Sequence, residues 1–246
     1  MTKLGLVLLA GLATPAVAAP FDEMPSVRAM RDEIARSAAK LELPDAPKVY
    51  FLSYELWDLQ WVHVEASFGA AILSQAYPQR SVDVDLRVGD YALDNSNVET
   101  GPFENRRPIT LPNDDDYDAI RHALWLGTDG AYKRAAETFD RKRAVAKTET
   151  QSTDTIASFS KEPATHLVDL APTAAPDRAA LEALAKTLSA VFRKNPDASG
   201  ATVSVMAAGG HQYFVSSEGS GDAAPISFVK VTIACTTGVR SELKGG

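Results

Sequence analysis

Residues Arg80 to Val88 alternate without a break: Val82, Val84, Leu86 and Val88 are apolar, while Ser81, Asp83, Asp85 and Arg87 are polar or charged. Successive side chains of a strand point to opposite faces, so this pattern needs one dry face and one wet face. That suits an antiparallel sheet rather than a parallel one covered on both sides. Two earlier runs match it in character. Lys48 to Trp57 is rich in aromatic and β-branched residues, as strands prefer. Gln60 to Leu73 sets Val62, Val64, Ala66 and Phe68 against His63, Glu65 and Ser67. The three runs predict a meander. Three further strands are expected at Ala201–Ala207, Gln212–Ser217 and Ser227–Thr236, with Gly209-Gly210 at a hairpin turn between the first two. Cys235 then falls in an apolar strand and is expected to be a buried, inert thiol.

Helical periodicity appears in three places. Pro25 to Leu43 carries Val27, Met30, Ile34, Ala38 and Leu41 on one stripe, and Pro44 and Pro47 end it. Asp114-Asp115-Asp116 opens a second helical region, where acidic residues suit the positive end of the helix dipole. Its stripe is Tyr117, Ile120, Leu124, Ala131, Ala135 and Phe139, with a break expected at Gly127 to Gly130. Asp177 is placed to cap a third helix that buries Leu181, Leu184, Leu188, Val191 and Phe192. Asp90 to Pro112 has no period and many turn formers, so it reads as a long surface connection; Lys147 to Lys161 reads as a flexible loop. The order helix, strands, helices, strands predicts an α+β fold, an antiparallel sheet with amphipathic helices packed mainly on one face.

The first nineteen residues stand apart. Lys3 gives a positive start, Leu4 to Leu12 is apolar, and Ala16-Val17-Ala18 before Ala19 and Pro20 is a small-residue cleavage site. This is the three-part pattern of an export leader, too short to span a bilayer comfortably. The expected mature domain is therefore 20–246, exported to the periplasm or beyond, with no membrane association after cleavage. A lone cysteine agrees with an oxidising compartment, since it permits no internal disulfide. The net charge of −7 argues against nucleic acid as a partner.

Reactive constellations are scarce. The four histidines, His63, His122, His166 and His211, lack partners at ligand spacing. His63 and Glu65 share a strand face and could place two ligands together, though a pair of polar residues on a wet face is the commoner reason for such spacing. His122 is expected to be a partly buried helical packing residue, and His211 a solvated loop residue beside the Gly-Gly turn. Asp83, Asp85, Asp90 and Asp94 do not follow the helix–loop–helix calcium spacing. Ser217 to Gly221 has the wrong register for a nucleophile elbow. The candidate binding residues are Asp90, Tyr91, Asp94 and Asn95, after the third expected strand, together with Glu218; loops and strand ends often carry binding. Against this, Asp90, Asp94 and Asn95 could serve only as turn residues that bond nearby backbone.

Several segments together resemble the first domain of the TldD/PmbA family, metallopeptidase-related proteins also called modulators of DNA gyrase. They are Tyr50–Asp58 (YFLSYELWD), Val64–Ile72 (VEASFGAAI), Arg80–Asn97 (RSVDVDLRVGDYALDNSN), Asp114–Ala135 (DDDYDAIRHALWLGTDGAYKRA) and Tyr213–Gly219 (YFVSSEG). The resemblance implies an α+β unit that helps form a cleft and the contacts between subunits. It also implies that the metal sits on a His-Glu-x-x-x-His helix in the family's second half, a motif this sequence does not contain. No catalytic or metal-binding residue carries over, and zinc is expected only in a missing or separate C-terminal half. Two functions follow as expectations. One is the non-metal half of a peptidase system, partnered by a metal-bearing subunit of that family or by an extended peptide. The other is a stand-alone, non-catalytic periplasmic binding protein of the same fold.

Overall fold

A computed structural model describes residues 20–97, 108–148 and 157–237; the expected leader lies outside the described residues. In chain order the elements are α1 (Pro25–Lys40), β1 (Val49–Ser67), β2 (Ala70–Val88), β3 (Ile109–Leu111), α2 (Tyr117–Thr148), α3 (Arg178–Ala190), β4 (Ala198–Ser216) and β5 (Gly221–Thr237). All five strands form one antiparallel sheet in the order β3-β2-β1-β4-β5. The α+β architecture is as expected.

The strands are longer and fewer than the sequence pattern suggests. The expected three-strand meander is a single hairpin of two 19-residue strands, β1 and β2. Its turn is Phe68-Gly69, both at positive φ, +45° and +80°. A two-residue turn of this kind matches the twist of the flanking strands and favours glycine. The polar stretch Asp58-Leu59-Gln60 does not interrupt β1, because β2 and β4 hydrogen-bond to it on both sides. The Asp58 charge is met by Arg80, whose Nε donates at 2.8 Å.

β4 likewise passes straight through Gly209-Gly210, which is not a turn. A Cβ on Gly210 would stand 2.1 Å from the Asp58 carbonyl oxygen, and one on Gly209 would stand 2.5 Å from that of Ala174. Glycine is needed there for close backbone approach inside a strand. His211 is consequently a strand residue, its Nε2 within 3.0 Å of the Ala171 carbonyl oxygen, and not a loop residue.

The helices pack on one face of the sheet. Leu52, Tyr54 and Leu56 of β1 meet α1 and α2 in one core, which includes Val27, Met30, Ile120, Leu124, Tyr132 and Phe139. Further along the same side of β1, Val62, Val64 and Ala66 meet Ala185 of α3, with Leu181, Leu188 and Phe192 around it. α1 and α2 are also tied by a charge buried between them. Glu33, fully buried, accepts from Arg36 and Ser37 and faces Arg121 at 3.5 Å.

α2 runs 32 residues and does not break at Gly127 to Gly130. Gly127 is instead where Ile109 of β3 seats, since a Cβ there would fall 2.0 Å from Ile109 Cδ1. The helix reaches Thr148, two residues into the expected 147–161 loop, of which 149–156 lie outside the described residues. Asp177 caps α3 as expected, its Oδ1 accepting from the Ala179 and Ala180 amides at 2.9 and 3.1 Å. His122 differs from expectation: it is exposed and stands 5.8 Å from the Trp125 ring on the outer side of α2.

Candidate binding site

β2 ends at Val88, and the chain then turns through a corner that brings distant residues together. Asp94 is its centre and is fully buried. Its Oδ2 accepts from the Tyr50 hydroxyl at 2.7 Å and from Arg87 at 3.3 Å. Its Oδ1 accepts from the Ser96 amide at 2.8 Å and the Ser96 hydroxyl at 2.5 Å, with Lys142 Nζ at 3.8 Å. Burial by itself would raise the Asp94 pKa. The hydrogen bonds from Ser96 and Tyr50 and the charge of Arg87 outweigh it, and the carboxyl is held below its ordinary value. Tyr50 moves the other way: burial, then its bond to ionised Asp94, push its hydroxyl well above the usual tyrosine range.

The remaining candidates divide into two sorts. Tyr91 donates to Glu218 across 127 residues of sequence, and its ring stands edge-on to Tyr50 at 4.8 Å. These two are therefore joined to the Asp94 cluster. Asn95 accepts from the Val88 amide at 2.8 Å and donates to the Leu86 carbonyl at 3.2 Å, so it secures the end of β2. Asp90 accepts from the Ala92 and Leu93 amides, both at 2.9 Å, which is a local turn.

Four residues of the corner were not singled out from the sequence. Arg87 is chelated by Asp85, its Nη2 to Oδ2 distance being 3.0 Å, and lies 3.8 Å over the Phe159 ring. Lys142 donates to the Ser96 carbonyl at 2.7 Å and the Ser158 hydroxyl at 3.0 Å. Tyr50, Arg87, Lys142 and Phe159 come from four separate segments, and no spacing rule links them. A cavity of about 210 Å³ opens beside this corner against α2, lined among others by Asp85, Arg87, Asn95, Ser96, Arg134 and Thr138. It offers hydrogen-bond donors and one carboxylate to a small polar group. A general base works best with a pKa near the operating pH, and Asp94, held low and fully hydrogen-bonded, is suited to clamping instead. Among the described residues no group of three or more His, Cys, Asp or Glu side chains is placed to hold a metal ion.

A second surface lies on the sheet face away from the helices. Strand register sets Tyr77, Trp61, Ala208 and Phe228 in one row across β2, β1, β4 and β5. Small Ala208 lets Trp61 reach Phe228, the rings meeting edge-to-face at 5.2 Å. Half-buried Trp57 continues the apolar surface along β1, with Leu59 buried between it and Trp61. His63 stands on this face too, 3.3 Å from Glu65 and 3.2 Å from the Ser204 hydroxyl.

β5 closes the sheet on one side, and its far half is bare. Among the described residues, only the Thr165–Asp169 segment bonds its outer edge, at Gly221 and Ala223. Beyond that point Val229, Val231 and Ile233 are 61, 43 and 54% exposed. Cys235 is exposed as well, contrary to the buried thiol expected, because this end of β5 projects past α3.

No family model matches the chain, and no curated protein matches it either. Solved structures do. TldE from Thermococcus kodakarensis is 12% identical, with 85% of this chain and 40% of that one covered, at a TM-score of 0.38. A protein described as a modulator of DNA gyrase from Bacteroides thetaiotaomicron is 9% identical, with 87% and 42% covered and a TM-score of 0.44. One so described from Thermotoga maritima is 7% identical, with 87% and 40% covered and a TM-score of 0.38. Most of this chain is thus similar in fold to TldE and to proteins described as modulators of DNA gyrase, and it spans about two fifths of their length.

Proposed function

We propose that this chain is the exported, non-metal N-terminal half of a TldD/PmbA-like metallopeptidase system. In this role it supplies cleft walls and subunit contacts to a metal-bearing partner and cuts no peptide bond itself. The observation that carries this is the far half of β5. An edge strand with open hydrogen-bonding groups and a row of exposed β-branched side chains is a template for another polypeptide. The opposite edge is guarded differently: the part of β2 beyond β3 carries Pro78, which cannot donate to a ladder, between Tyr77 and Gln79. The motif resemblance at Arg80–Asn97 and Asp114–Ala135 supports the same role.

A second function, a stand-alone non-catalytic binding protein of the same fold, draws on the 210 Å³ polar cavity beside Asp94. There Asp85, Arg87, Asn95, Ser96 and Arg134 of the cavity wall would contact a small polar ligand. The test separates the two. The full chain with its leader is expressed with a C-terminal tag and recovered from the periplasm, and zinc and peptide hydrolysis are measured in the eluate. A stoichiometric zinc-bearing peptidase is expected to co-purify with the natural sequence and to be lost with the double variant V231K/I233K. Metal-dependent hydrolysis by the chain purified to homogeneity would overturn both functions. Failure of any zinc protein to depend on Val231 and Ile233 would overturn the first.

A further inference from the structure

We infer that the cavity beside Asp94 binds a small carboxylate, with the Arg134 guanidinium as its cation and the Thr138 hydroxyl as a second donor. It rests on the second function above, in which that cavity takes a small polar ligand, and names the chemistry of that ligand.

Three segments wall the cavity: the end of β2, the Asn95–Asn97 stretch and one face of α2. Ala131, Arg134, Ala135 and Thr138 recur at helical spacing on that face. The two alanines are small, so Arg134 and Thr138 are the polar groups that α2 presents.

The polar side chains of the other two walls are spent. Asp85 accepts from Arg87 Nε at 3.2 Å and from Nη2 at 3.0 Å, and Arg87 Nη1 goes to Asp94. The Ser96 hydroxyl goes to Asp94, and Asn95 bonds the Leu86 and Val88 backbone. Arg134 and Thr138 differ. Among the described residues neither side chain has a hydrogen-bond or ion-pair partner. Thr138 is only 6% exposed, and a hydroxyl so deep is normally bonded. A helical threonine can bond the carbonyl four residues back, as Thr128 bonds Leu124 at 2.7 Å; Thr138 does not.

Charge and space agree with this. The charged groups that line the cavity are Arg87, Arg134 and Asp85. Asp85 offsets Arg87, and Arg134 is left as one unmatched positive charge. Gly130, one turn earlier, gives that guanidinium room: a Cβ there would lie 3.3 Å from its Nη1. β3 covers β2 only at Arg80–Val82. Beyond it the Leu86 amide turns to the same side as the Leu86 carbonyl that Asn95 bonds, and adds a neutral donor.

A guanidinium fork with a hydroxyl one turn along fits the two oxygens of a carboxylate. A single unmatched charge calls for a monoanion. The volume of about 210 Å³ is below the roughly 300–1,000 Å³ of pockets for drug-sized ligands, so the acid is small.

The test uses the natural chain, expressed with its leader in nitrogen-15 medium and recovered from the periplasm. It is titrated with sodium acetate at constant ionic strength and followed by nuclear magnetic resonance. The Arg134 Nε and Thr138 amide signals are expected to shift together and saturate. R134Q weakens acetate about tenfold or more, as loss of a charge-assisted pair would. T138V weakens it about fivefold, the scale of one hydrogen bond. Both variants keep the native circular dichroism and melting temperature, because neither side chain is bonded within the protein. V231K/I233K binds acetate as the natural chain does. Equal acetate affinity in R134Q, or tighter binding of inorganic phosphate than of acetate, would overturn the inference. If acetate fails and glycerol saturates the same signals, the inference falls and the small-ligand function stands. If neither binds, both fall.

Discussion

The Tyr50 hydroxyl donates a 2.7 Å hydrogen bond to Asp94, a fully buried carboxylate 44 residues further along the chain. This bond ties the start of β1 to the corner that follows β2. It also decides how that corner responds to pH and to substitution.

Asp94→Asn keeps the shape and removes the charge that faces Arg87 and Lys142. Breaking a buried ionic cluster from one side costs about 3 kcal/mol, and urea unfolding at neutral pH is expected to show a loss of that order. Tyr50→Phe is expected to cost about 1 kcal/mol, the scale of one hydrogen bond to a buried group.

The pH dependence has a definite sign. The Asp94 pKa is lower in the folded state than its ordinary value, so its contribution is present above the unfolded pKa of about 4 and is lost as pH falls below it. Stability curves of the natural chain and of Asp94→Asn are therefore expected to converge in acid. A gap that stays constant to pH 3 would contradict the assignment.

Three tyrosines act at the alkaline end. Burial is the leading cause that raises Tyr50, Tyr54 and Tyr213, the last pushed up to about 12. An unfolded chain ionises tyrosine from about pH 10, so stability is full below that and falls as pH rises through the folded values. Tyrosinate absorbance is expected to show these three appearing only together with loss of the native circular dichroism.

Gly210→Ala tests the strand against the turn. Its Cβ would meet the Asp58 carbonyl oxygen at 2.1 Å and the Leu59 Cα at 3.0 Å, both backbone atoms that cannot swing aside. A loss of about 3 kcal/mol is expected in urea unfolding, the upper range for overpacking. In a hairpin turn the cost would come from positive φ alone, about 1 to 2 kcal/mol, with no backbone clash.

Cys235 is expected to react with an aromatic disulfide reagent in the native protein, one equivalent per chain, without denaturant. Its exposure on β5 requires this. A thiol that reacts only after unfolding would mean that the far half of β5 is covered.

Local pattern determined a good deal here. The alternation Val82, Val84, Leu86 and Val88 fixed which side of β2 faces the helices, because side-chain direction in a strand depends only on parity. Val27, Met30 and Ile34 of the α1 stripe and the Asp177 cap were equally readable, since helix faces and caps are set within a few residues, whereas Ala38, expected on the same stripe, is exposed. What the tertiary structure decided is where polar and small residues stop acting as breakers. Gly209-Gly210 and Asp58 look like interruptions until neighbouring chain segments supply the close contact and the Arg80 partner. The same holds for the Asp94 corner and for the aromatic row across Tyr77, Trp61 and Phe228. Both depend on register between strands far apart in sequence, and that register is set by packing of the whole sheet and by no spacing along the chain.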